Sequence, residues 1–93
     1  MPNIRLVMNN RTNLDLIFVY NNVKYEVAAK RSERATVEAG HKVSVYDPKH
    51  TKVTRKKITV EFDYFIYDLL QDTVIDCKLV GWQLSLHLGT DVV

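Results

Sequence analysis

Apolar and polar residues alternate in short runs along nearly the whole chain. Residues 42–46 (Lys-Val-Ser-Val-Tyr), 57–62 (Lys-Ile-Thr-Val-Glu-Phe) and 82–88 (Trp-Gln-Leu-Ser-Leu-His-Leu) are the clearest. Side chains alternate between the two faces of a strand, so a period of two is the mark of a half-buried β-strand. Further runs cover residues 3–8, 14–20, 23–29, 34–38 and 74–80. Turn-forming residues separate them.

The strongest local signal is Asn21-Asn22 between two such runs. A two-residue type I′ turn needs positive φ at both central positions, which Asn tolerates better than most residues. That turn sets the register. Tyr20 faces Val23, Phe18 faces Tyr25, Leu16 faces Val27 and Leu14 faces Ala29. These eight side chains then form one core surface, while Val19, Ile17 and Asp15 oppose Lys24, Glu26 and Ala28 on the other face. A slip of one residue would send the whole aromatic set outward.

The rest of the chain reads the same way. Ile4, Leu6 and Met8 share a face, and residues 9–13 form a polar loop. Residues 30–33 form a charged turn. Ala35 and Val37 point inward, as do Val43 and Val45, and Asp47-Pro48 ends that strand because proline offers no ladder donor. Residues 63–71 fit either a continued strand or a short helix. Phe62, Phe65, Ile66, Leu69 and Leu70 follow a helical stripe and Asp63 is a capping residue, which tilts the reading towards a helix. Ile75, Cys77 and Leu79 sit at odd positions, and Trp82, Leu84, Leu86 and Leu88 at even ones. The change of parity at Gly81 reads as a β-bulge in one long strand rather than a tight hairpin.

The expected architecture is therefore mainly β: an antiparallel two-sheet sandwich, with a small closed barrel as the alternative. The 93 residues make one domain, residues 1–93. A chain of this size buries about two-thirds of its unfolded surface.

Composition adds limits. Hydrophobic residues are 46% and charged residues 26%, as in a folded globular domain. The net charge of +2 gives no strong global field, so electrostatic function requires local clustering. Cys77 is the only cysteine, which excludes an internal disulfide and suits a reducing compartment. The chain carries no run long enough for a membrane helix and no secretory pattern at residues 1–10, so a cytoplasmic location is expected. Asn10-Arg11-Thr12 fits the glycosylation pattern, which has meaning only in a secreted chain.

Local clustering does occur at residues 49–57. Lys49, His50, Lys52, Arg55, Lys56 and Lys57 make a strongly basic segment. If it is a strand, Lys52, Thr54 and Lys56 line one face at about 7 Å spacing, which suits a phosphate backbone. Charges on both faces also suit an edge strand that resists aggregation. His41, His50 and His87 lack metal-ligand spacing, and no metal or other cofactor is implied. Ser85 and His87 share a strand face near Asp91 and form the one nucleophile–base candidate, without a nucleophile elbow or Gly-rich oxyanion loop. Asp63, Asp68, Asp72 and Asp76 form a loose acidic group. Tyr64, Tyr67 and Trp82 are candidate interface anchors.

The functional expectation is a non-enzymatic interaction module. It binds a protein partner or a second copy of itself through sheet edges, loops and aromatic side chains. Nucleic-acid or polyanion binding through residues 49–57 is the alternative. No small-molecule substrate and no membrane partner are indicated.

Overall fold

The computed structural model describes residues 2–49, 59–61, 69–81 and 83–92, with residues 59–61 described in their backbone. Eight strands are present: β1 (Asn3–Asn10), β2 (Leu16–Tyr20), β3 (Val23–Val27), β4 (Ser32–Glu38), β5 (Val43–Tyr46), β6 (Thr59–Glu61), β7 (Thr73–Val80) and β8 (Gln83–Leu88). They form a five-stranded sheet in the order β4-β1-β7-β8-β6 and a three-stranded sheet in the order β3-β2-β5. The two sheets do not close into a barrel.

Alternation decides which side chains meet between the layers. Ile4, Leu6 and Met8 from β1, Ile75 and Cys77 from β7, and Leu84 and Leu86 from β8 face Leu16, Phe18, Tyr20, Val27, Val43 and Val45 of the smaller sheet, and all are buried. Phe18 is fully buried at 0% exposure and dominates the centre.

The β2–β3 hairpin has the expected register, with Tyr20 on Val23, Phe18 on Tyr25 and Leu16 on Val27. Asn21 and Asn22 take φ of 51° and 64°, as a type I′ turn demands. Four members of the expected core set are not fully buried: Val23, beside the turn on edge strand β3, is 49% exposed, and Leu14, Tyr25 and Ala29 are half-buried. Leu14 and Ala29 lie outside the strands.

Several segments differ from the sequence pattern. Asn9 and Asn10 belong to β1 rather than to a loop, and both are fully buried. Strand β4 begins at Ser32, inside the expected charged turn. The bulge expected at Gly81 is a hairpin: β7 pairs antiparallel with β8, Val80 lies opposite Gln83, and Gly81 takes φ of 64°. A two-residue connection reverses strand parity just as a bulge does. Most pairs are antiparallel, but β1 runs parallel to β7 and β6 parallel to β8. Residues 63–68 of the suspected helix lie outside the described residues, and residues 69–71 are irregular. Among the described residues, no helix is long and apolar enough to cross a membrane.

The pairings give the sandwich two distinct ends. One carries the Asn21-Asn22 turn and residues 39–42. The other carries the end of β1, the β7–β8 turn, the start of β2, and the ends of β3 and β5. We call the second end the loop pole.

Candidate functional site

Asn10 organises the loop pole. Its side chain sits on the core face of β1, where a polar group must find partners or cost stability. Nδ2 donates to the carbonyls of Leu14 (2.7 Å), Val27 (3.0 Å) and Ala28 (3.2 Å), and Oδ1 accepts from Thr12 N and Thr12 Oγ1. The loop of residues 11–15 and the turn of residues 28–31 are thus fastened to the end of β1.

Asn9 points the opposite way, to the outer face of the larger sheet. It stands opposite Asp76 in the β1–β7 register, and Asp76 stands opposite His87 in the β7–β8 register. Asn9 Nδ2 donates to Asp76 Oδ1 at 2.8 Å and to the Asp91 carbonyl at 2.6 Å. Arg11 Nε lies 2.9 Å from Asp76 Oδ2, at an angle outside that of a directed hydrogen bond, so the contact is an ion pair. Arg11 Nη2 donates to the Asp91 carbonyl at 3.3 Å. The nearly buried Asp76 carboxylate is thereby neutralised, as a charge removed from water requires.

Ser85 and His87 lie on the same outer face, with Ser85 Oγ 2.8 Å from His87 Nε2. That is the distance of a nucleophile and its base. A catalytic histidine is oriented by a third group, and Asp76 is the cross-strand neighbour placed for it. Both carboxylate oxygens of Asp76 are engaged elsewhere, by Asn9 and Arg11. Asp91, the acid suggested by sequence proximity, contributes its backbone carbonyl to Asn9 and Arg11. Among the described residues, then, no carboxylate orients the His87 ring.

Cys77 is buried at the centre of the larger sheet, and burial pushes its thiol up to about 12. A hydrogen bond with the Ser85 backbone works against that rise, and nearby Asp76 adds to it. The thiol therefore stays protonated and unreactive at neutral pH. His41 packs edge-on against Tyr20, with ring centroids 5.6 Å apart. Among the described residues, no three His, Cys, Asp or Glu side chains gather to hold a metal.

Of the basic residues singled out in the sequence, Lys49 is described. It is exposed at the loop pole, where its N–H donates to Asp47 Oδ1 at 2.9 Å. His50, Lys52, Arg55, Lys56 and Lys57 lie outside the described residues, as do Tyr64, Tyr67 and Trp82. The described chain re-enters at Thr59, opposite Gln83, which is again the loop pole.

The sequence pattern did not reveal a second basic cluster at that pole. Arg11, Lys30 and Lys78 line one groove of about 520 Å³ together with Leu14 and Leu79. They come from three separate segments and are 19 and 48 or more positions apart, so no linear run of charge announces them. Among the described residues, no carboxylate lines the groove. Lys30 takes φ of 61°, and its Nζ donates to the Arg11 carbonyl at 3.1 Å.

Comparison of the chain with protein-family models, with curated proteins and with solved structures finds no match.

Proposed function

We propose that the protein is a non-enzymatic interaction module that receives an acidic protein partner at its loop pole. One observation carries this reading: Lys30 and Lys78 converge on a single groove with Arg11, which is ion-paired to Asp76 on its far side, and among the described residues no carboxylate lines that groove. Exposed Lys49 and Arg31 belong to the same pole. Cations gathered around one surface steer and retain an oppositely charged partner even when the net charge is small. Leu14 and Leu79 add apolar area, which suits a protein surface better than a bare phosphate chain. Bases bind by stacking on aromatic rings, and among the described residues no aromatic side chain lines this groove.

A second reading, nucleic-acid binding, is favoured by one fact. The basic segment of residues 49–57 starts from Lys49 at this pole, and the chain returns there at Thr59.

Anisotropy titrations with a labelled oligoglutamate peptide and an oligonucleotide of equal charge separate the two readings. They are run at about 20 and about 200 mM salt, conditions between which surface electrostatics weaken strongly. Saturable peptide binding that weakens with salt and is lost in the Lys30→Glu/Lys78→Glu variant supports the proposal. Tighter binding of the oligonucleotide assigns the pole to nucleic acid instead. Binding of neither polymer at low salt overturns both readings.

A further inference from the structure

The groove also holds an open rung of the larger sheet. Strands β1 and β7 pair in parallel as far as Asn10 opposite Cys77. Strand β7 then continues through Val80, whereas β1 has ended. Main-chain groups alternate in direction along a strand. The last rung is Arg11 N donating to the Cys77 carbonyl at 3.0 Å, so the polar groups of Cys77 face β1. Those of Leu79, two residues on, face the same side, into the groove.

Parallel geometry would direct the Leu79 N–H to the Arg11 carbonyl as the next rung. Among the described residues that bond does not form, and the Arg11 carbonyl accepts from Lys30 Nζ. On its other side Leu79 lies opposite Leu84, a position between the hydrogen-bonded pairs of the β7–β8 ladder. Among the described residues, no hydrogen bond reaches the Leu79 main chain. Its side chain is 41% exposed although its parity is that of the buried Ile75 and Cys77.

We infer that an extended acidic segment of a partner protein docks in this groove by β-strand addition at Leu79. This rests on the proposed role of the pole as an acidic-partner site. The partner's main chain exchanges N–H and C=O bonds with Leu79, in the line that β1 vacates. Its alternate side chains then fall into two sets. One set brings carboxylates to Lys30, Lys78 and the outer edge of the Arg11 guanidinium. The other places an apolar side chain against Leu14 and Leu79.

Arg11 is prepared for this role. Asp76 holds its Nε side and the Asp91 carbonyl holds Nη2, which fixes the guanidinium plane, and among the described residues no hydrogen bond reaches Nη1. A fixed donor loses little conformational freedom on binding.

The test uses the full chain and a synthetic peptide of alternating Glu and Leu. Two control peptides carry N-methyl groups on alternate residues, in each of the two phases, and a third replaces Leu by Ser. Amide spectra of the ¹⁵N-labelled protein are recorded alongside. The expected result is a large shift of the Leu79 amide on saturation with the parent peptide. Affinity should fall about tenfold or more with one N-methyl phase but not the other, and by a similar factor in Lys78→Glu. Replacement of Leu by Ser should also weaken binding. Equal binding of both N-methylated peptides, with a still Leu79 amide, overturns strand addition. If salt-sensitive binding persists in that case, the acidic-partner reading of the pole stands. If no peptide binds, that reading fails as well.

Discussion

Asn10 Nδ2 reaches the Val27 carbonyl at 3.0 Å, so an asparagine of the larger sheet holds the last residue of a strand in the smaller one. The same side chain holds Leu14, Ala28 and Thr12. It is a polar fastening between the layers at the loop pole.

Replacement of Asn10 by Ala should therefore cost more than one ordinary hydrogen bond. Three carbonyls lose a donor, Thr12 loses an acceptor, and the Asn10 and Thr12 side chains themselves are buried. Leaving several buried groups unpaired puts the loss at roughly 2–4 kcal/mol. Asn10→Asp should be at least as damaging, since a carboxylate donates nothing and would face three carbonyl oxygens. Chemical denaturation of the three proteins measures this. Near-equal stability of Asn10→Ala and the parent would show that the fastening contributes little.

The Asn21-Asn22 turn offers a test with the opposite sign. At φ of 64° a residue without Cβ has no steric penalty, so Asn22→Gly should be neutral or slightly stabilising. Asn21→Val should lose about 1–2 kcal/mol, because a β-branched side chain at φ of 51° clashes with its own backbone. Melting temperatures of the two variants should move to opposite sides of, or unequally from, the parent value.

Gly89 tests the outer-face network. A Cβ there would lie 2.6 Å from Asp76 Oδ1, closer than atoms tolerate. Gly89→Ala should push the carboxylate away from Asn9 and Arg11 and lower stability by about 1–3 kcal/mol. Adding Asp76→Ala should recover part of the loss, because the clashing group is gone. Purely additive losses in a double-mutant cycle would contradict this coupling.

Cys77 gives a pH dependence. Its thiol is raised in the folded chain from 9.0 to about 12. Between those values the unfolded chain gives up the proton while the folded chain keeps it. The folded state then binds more protons, and stability falls as pH rises above 9.0, by at most about 1.4 kcal/mol per pH unit from this group. More than about one pH unit below 9.0 the slope from this group vanishes, because both states hold the proton. A Cys77→Ala variant, though less stable overall, should show the shallower alkaline decline. A thiol reagent at neutral pH should modify Cys77 no faster than the protein unfolds.

Much of the sandwich was legible in the pattern of residues. Phe18 lies opposite Tyr25 because turn chemistry and alternation pointed to one register. The same logic was available at the second hairpin. There, odd positions up to Leu79 and even positions from Leu84 differ in parity, as Phe18 and Tyr25 do across their turn. A lone Gly81 beside a tryptophan disguised the two-residue connection that Asn21-Asn22 displayed openly. Alternation could not tell that β1 would lie parallel to β7, because the pattern sets which face is buried and not which strand is the neighbour. Asn9 and Asn10 looked like loop residues. They are buried only because partners distant in sequence, such as Val27 and Asp76, satisfy them. The groove cations likewise come together only in the fold, from segments far apart in the chain.

Leu6 pairs with Thr73, and that pairing constrains how the molecule is assembled. During synthesis β1 can join β4 well before β7 has left the ribosome. Until then the other side of β1 offers an unsatisfied ladder to any passing strand. Closing so distant a pair carries a large loop-entropy cost and slows folding relative to the local β2–β3 hairpin. The emerging polypeptide thus spends its most adhesive interval waiting for residues 73–80, and truncation before residue 73 should yield aggregates rather than a smaller folded unit.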